Sequence, residues 1–119
     1  KKLSPEEWHA KLLLVEAKDV AAPLLLDVRN FYESEVGLFA GAKPLHTATF
    51  RDTWAALKHH LAQEDSSREI LTYCTGGIRC EKANAYIIQE LGFNNVGALQ
   101  GGIVNYAQYA SKAGLPSLF

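Results

Sequence analysis

Cys74 follows a short apolar run, Ile70-Leu71-Thr72-Tyr73, and is itself followed by Thr75, Gly76, Gly77, Ile78, Arg79 and Cys80. These residue types in this order suit a nucleophilic sulfur. Two glycines permit left-handed backbone angles and leave amide N–H groups unobstructed, so that they can point into the loop. Successive inward amides form an anion-binding nest, and a helix starting at the end of the loop adds the positive end of its dipole. A thiol in that field ionises readily: free cysteine has a pKa of about 8.5, and such surroundings bring it to between about 3.5 and 7.5. A drop of about two units needs only about 2.7 kcal/mol of preferential stabilisation of the anion. Arg79, permanently charged, is placed to close the rim over an anionic group. The competing reading makes Cys74 a small buried hydrophobe above an ordinary turn. Strand end, glycine pair, arginine and helix start together favour the chemical reading.

The elements that hold this loop follow from patterning. Ser4-Pro5-Glu6-Glu7 is a capping box with proline at the first helical position, predicting a helix from there to about Val15. Pro23 to Val28 is an apolar run carrying an acid near its end, the pattern of a buried parallel strand. Asn30 to Val36 reads as a short helix closed by Gly37, and Gly41 marks a further turn. Phe50, Trp54, Leu57 and Leu61 recur at helical spacing, predicting a helix over 50–61. Glu69 to Cys74 is the second clear strand. Ala83, Ile87 and Leu91 give the next helix its buried stripe, with Gly92 to end it. Asn94 to Leu99 is a weaker strand, and a last helix runs from Ile103 to Ala113, stopped by Gly114 and Pro116. Strands separated by helices predict an α/β domain with a mostly parallel sheet. Ligands of such sheets sit at the carboxyl ends of strands. Asp27, Arg29 and Cys74 all fall there, so they should share one edge of the molecule.

Composition bounds the rest. A chain of 119 residues, 48% hydrophobic and 21% charged, is read as one globular domain spanning residues 1–119. Its formal net charge of −1 offers no electrostatic footprint for nucleic acid or acidic lipid. The longest uncharged apolar stretch, Val20 to Leu26, is too short to cross a bilayer, so no membrane partner is expected. The polar N-terminus without Met suggests a domain excised from a longer protein. Only Cys74 and Cys80 are present, which points to a reducing compartment, the cytoplasm or an organelle, and not to a disulfide scaffold.

Three blocks, LLLDVRNFYESEVGLFAGA, YCTGGIRCEKA and LQGGIVNY, resemble the motifs of rhodanese (sulfurtransferase) domains, in the right order and over most of the chain. More narrowly, CTGGIRCEKA is similar to the active loop of the rhodanese domain in tRNA uridine hydroxylases and their eukaryotic relatives. The resemblance implies a three-layer α/β fold, a five-stranded parallel sheet with helices on both faces. It also implies that Cys74 takes a sulfane sulfur from a donor, thiosulfate or a persulfide on a small molecule or protein. Cys74 then carries that sulfur as a persulfide and passes it to a nucleophilic acceptor. The amides of Thr75, Gly76, Gly77, Ile78, Arg79 and Cys80 would cradle the outer sulfur, with no metal or organic cofactor. Thiosulfate-type rhodaneses carry further basic residues in the loop; here Arg79 alone is left to attract a dianion, which disfavours thiosulfate. Pro44-Leu45-His46 stands where the hydroxylase relatives have Pro-Asp-Ile.

Three other functions compete. Cell-cycle phosphatases share the fold, but four residues separate Cys74 from Arg79, one fewer than those enzymes use, and the ring suits a single sulfur better than phosphate. A module of a tRNA-modifying enzyme would meet RNA only through flanking domains. A non-catalytic interaction module is disfavoured by the intact Cys74 and Arg79. Among single residues, Cys80 is either a resolving thiol, acidic in its own right, or a buried helix-start residue lending its amide to the cradle; the second is preferred. Asp27 is read as mainly structural, whereas Arg29 is either a substrate contact or a partner of Glu33 at helical spacing. His9, His59, His60 and Lys82 read as surface residues, His46 as a loop histidine, and Gly101-Gly102 as a tight strand-to-helix turn packed near the Cys74 loop.

Overall fold

The apolar runs become the middle of a parallel sheet. The computed structural model describes residues 1–39, 41–45, 47, 50–117 and 119. In chain order the strands are β1 (Lys2–Leu3), β2 (Leu24–Asp27), β3 (Lys43–Pro44), β4 (Ile70–Tyr73) and β5 (Val96–Leu99). They align in the order β1-β5-β4-β2-β3, and every pairing is parallel. Each residue of β2, β4 and β5 is buried, as expected for strands covered on both faces. Residue patterning marked these three strands. The edge strands β1 and β3 have two residues each, too short to show any alternation.

The helices are α1 (Pro5–Glu16), α2 (Phe31–Val36), α3 (Thr53–Leu61, entered through a 3-10 turn at Phe50–Asp52), α4 (Ile78–Gln89) and α5 (Gly102–Ala113). The turn replaces the first residues of the helix expected over 50–61. Helix α4 ends before Leu91, which still packs against the core. One core cluster joins Leu24, Leu26 and Ile70 of the sheet to Leu57 and Leu61 of α3 and Ala83 and Ile87 of α4. The other joins Leu25, Leu71 and Leu99 to Trp8 and Leu12 of α1 and Tyr106 and Ala110 of α5. The sheet is thus the middle of three layers, and the two-residue period of its strands sorts side chains between the faces. Among the described residues, no helix is long and apolar enough to cross a membrane.

Local signals set the helix starts. Ser4 Oγ accepts from the Glu7 amide at 3.2 Å, and the Ser4 amide donates to Glu7 Oε1 at 2.9 Å, closing the capping box. Ser4→Ala is expected to cost about 1 kcal/mol. The check is a lower urea midpoint with an unchanged slope; a loss of only a few tenths of that figure would mean the box is idle.

Candidate active site

Alternation along β4 aims Cys74. Ile70 packs in the cluster under α3 and α4, while Leu71 and Tyr73 face the opposite cluster. Cys74, one residue beyond the strand, therefore turns toward α4 and joins the first cluster, only 1% exposed. The chain then passes over Gly77, whose φ of +91° puts it in the left-handed region, and enters α4 at Ile78. Gly76 is not in that region, and a Cβ there would meet nothing, so only Gly77 of the pair is needed for the turn. The start of α5 buttresses the loop from behind: the Ile103 amide donates to the Cys74 carbonyl at 3.1 Å and the Val104 amide to the Thr75 carbonyl at 3.3 Å.

The loop amides converge on the sulfur. The Gly77 N–H donates to Cys74 Sγ at 3.0 Å, and the Arg79 and Cys80 amides are also hydrogen-bonded to it. The largest influence is the Cys80 thiol, which donates its proton toward the same sulfur; burial opposes all of these. The balance brings the Cys74 pKa from 9.0 down to about 5, so the residue is a thiolate at neutral pH. Cys80 is fully buried in the first turn of α4, and its own pKa is raised well above 9.0 by the Cys74 sulfur and by burial. It remains a thiol, against the alternative that made it an acidic resolving thiol. Its amide does join the cradle, but its side chain contributes more. Of the six loop residues assigned to the cradle, Gly77, Arg79 and Cys80 bond the bare thiolate sulfur. The side chain of Ile78 is 81% exposed at the rim.

Arg79 is not an open clamp. Its Nη1 donates to Glu33 Oε1 at 2.7 Å and its Nη2 to Glu33 Oε2 at 3.0 Å, a two-pronged ion pair to α2. Glu33 also accepts from the Thr75 hydroxyl at 3.1 Å and from the Asn30 amide at 3.2 Å. With these partners, Arg79 foremost, its pKa falls to about 2. The Arg29–Glu33 pair, one of the alternatives for Arg29, does not form. Arg29 instead turns back on Asp27, donating from Nε at 3.0 Å and from Nη2 at 2.7 Å. Asp27, fully buried, also accepts from the Arg29 amide, the Ser34 hydroxyl and the Tyr73 hydroxyl. Arg29 additionally donates to the Gly37 carbonyl. Both residues are therefore spent on tying the ends of β2 and β4 to α2, the structural alternative for each. A buried acid with this many donors needs a cation to balance it, and that demand outweighs helical spacing on the surface.

Sequence reasoning missed the pairing of Glu33 with Arg79. The available signal was topological: Glu33 lies in the helix after β2 and Arg79 in the helix after β4, and those strands are neighbours. His46 lies outside the described residues. His9, read as a surface residue, is half-buried against α5, with its Nδ1 2.9 Å from the Tyr106 hydroxyl. Beside the loop, a cleft of about 540 Å³ is walled by Gly76, Gly77, Ile78, Ile88, Gln100 and Gly101, among others. Cys74 and Arg79 are not in its walls; the cleft reaches the loop at its glycines.

Comparison with known proteins agrees with this architecture. The chain is 46% identical over 96 residues to the tRNA uridine(34) hydroxylase of Yersinia enterocolitica, covering 81% of this chain and 27% of the relative. The corresponding Yersinia pestis protein is equally similar, with 26% of its length covered. The chain thus spans about a quarter of the curated relatives it matches. Among solved structures, a rhodanese-like domain protein from Staphylococcus aureus superimposes with a TM-score of 0.66 at 21% identity, covering 89% of this chain and 90% of that one. A thiosulfate sulfurtransferase from Pseudomonas aeruginosa gives 0.67 at 21% identity, over 97% of this chain and 19% of that one. At that identity the likeness is one of fold. Residues 7–109 match the rhodanese-like domain family, and with a five-stranded parallel sheet that turns into an amide-lined cysteine loop, the chain belongs to it.

Proposed function

We propose that this domain is a sulfurtransferase that moves sulfane sulfur through a persulfide on Cys74. The observation that carries the reading is a thiolate with a pKa of about 5, hydrogen-bonded by three loop amides and one neutral thiol at the carboxyl edge of the sheet. The Cys74 thiolate attacks the outer sulfur of a donor. A new S–S bond forms as the donor's own bond to that sulfur breaks, and the electron pair leaves with the donor as a thiolate or sulfite. An acceptor nucleophile, a thiol or a partner protein, then attacks the outer sulfur, and Cys74 departs as thiolate. The same hydrogen bonds serve both halves, because a stabilised thiolate is also a good leaving group. The chemistry needs no metal or organic cofactor. A reducing compartment such as the cytoplasm suits two free cysteines.

Incubation with sulfur donors, followed by intact-mass measurement, is expected to show one added sulfur on the wild-type chain and on Cys80→Ser, and none on Cys74→Ser. Labelling that survives the loss of Cys74 would end the proposal. The likeness to tRNA uridine(34) hydroxylases supports a second reading, in which this domain is one module of a tRNA-modifying protein and other segments hold the RNA. That reading expects a longer protein whose uridine modification requires Cys74, and whose RNA affinity falls with salt.

A further inference from the structure

We propose that the Glu33–Arg79 pair masks the cation at the active loop and so selects persulfide donors over dianionic thiosulfate. This inference rests on the sulfur-carrier reading and specifies its donor. Arg79 is the sole basic residue between Cys74 and Cys80. Both of its terminal nitrogens are already bonded to Glu33, at 2.7 and 3.0 Å, and it also bears on the Cys74 thiolate. One positive charge therefore faces two negative ones, a local sum of −1 before any donor arrives. The Thr75 hydroxyl, the other loop side chain able to donate to an incoming oxyanion, is bonded to the same carboxylate at 3.1 Å. Glu33 is itself anchored by the Asn30 amide at 3.2 Å, so the carboxylate is held against the loop from the α2 side. Replacing the Arg79–Thr75–Glu33 contacts by contacts to thiosulfate would leave a carboxylate held by the Asn30 amide and no cation beside an incoming dianion.

The penalty depends on donor charge. Thiosulfate brings two negative charges, and the step releases sulfite: the Cys74 thiolate bonds the outer sulfur as the S–SO₃ bond breaks. An alkyl persulfide brings at most one. Attack on its protonated form yields the Cys74 persulfide and an alkyl thiolate, with no oxidant or reductant consumed. One unit charge beside a dianion, at an effective dielectric between that of bulk water and that of a protein surface, changes a rate by on the order of 10–100-fold.

The test compares rates of sulfur loading, by intact mass, from thiosulfate and from 2-hydroxyethyl persulfide, a donor with no other charged group. The wild type is expected to load faster from the persulfide, and Glu33→Gln to raise the thiosulfate-to-persulfide rate ratio by on the order of 10–100-fold. A ratio moved by less than about threefold, which a merely structural role would give, overturns the inference. A second arm needs no variant: raising salt from roughly 20 to roughly 500 mM should speed thiosulfate loading of the wild type, because screening relieves like-charge repulsion. Slower loading at high salt would show an open docking cation and overturn it equally. Wild-type protein that loads from neither donor would sink the sulfur-carrier reading itself. Loading from the persulfide with an unmoved ratio sinks only the charge mask.

Discussion

Gly102→Ala is expected to remove much of the folding stability and to undo the thiolate site with it. The residue has a φ of +65°, and a Cβ there would stand 2.3 Å from the Thr75 carbonyl oxygen and 2.6 Å from the Cys74 carbonyl oxygen. Both obstacles are backbone, so no side chain can swing aside. The left-handed conformation alone costs alanine about 1–2 kcal/mol. Relieving the clash must also move the loop off α5 and stretch the two bonds from the Ile103 and Val104 amides, each worth about 1 kcal/mol. The sum, about 3–4 kcal/mol, is a large part of the roughly 5–15 kcal/mol that holds a typical domain together. Urea denaturation supplies the figure. Gly114→Ala is the control: its φ is +67°, but its Cβ would meet nothing within 4 Å, so only the left-handed strain of about 1–2 kcal/mol remains. If the two variants lose the same stability, the contact with the loop carries no weight.

The second large effect concerns acidity. Cys80→Ala is expected to raise the Cys74 pKa from about 5, because the Cys80 thiol is the largest influence lowering it. A hydrogen bond to a charged group is worth about 1.5–3 kcal/mol. That corresponds to about one to two pKa units, and to a fall of about 10–100-fold in thiolate at pH values below the wild-type midpoint. Alkylation of Cys74 as a function of pH, followed by mass, reads the midpoint directly. Cys80→Ser keeps a donor in place and should hold the midpoint low; an alanine variant that titrates like the wild type would refute the assignment. The sign for stability follows from the same shift. The folded value lies below that of an ordinary thiol, about 8.5–9, so the thiolate adds stability above that range, and the gain is lost as pH falls from there to about 5. Cys74→Ser should lack that part of the pH dependence.

These two residues mark where sequence reading stops. Ser4 and Glu7, the apolar runs at Leu24 and Ile70, and the turn at Gly77 are legible because caps, period and left-handed turns are properties of a few adjacent residues. The same locality let the spacing of Cys74, Gly77 and Arg79 announce a thiolate cradle. Gly102 could be placed near the loop, but the crowding that leaves a Cβ no room there arises only when α5 docks on the end of β4. Strands β1 and β3 were not readable from their own residues, because two residues become a strand only through a partner.

Neighbours along the chain thus fixed the order of the helices and of the three central strands, the parallel α/β class and the place of Cys74 at the head of a glycine turn. Tertiary structure alone decided who neutralises whom. Arg29 went to Asp27 because a fully buried carboxylate demands a cation, and Glu33 was left to reach across to Arg79. The Cys80 thiol came to face Cys74 because the turn over Gly77 folds the first turn of α4 back on the end of β4. Charge pairing falls off with distance in space, and only the folded chain fixes that distance.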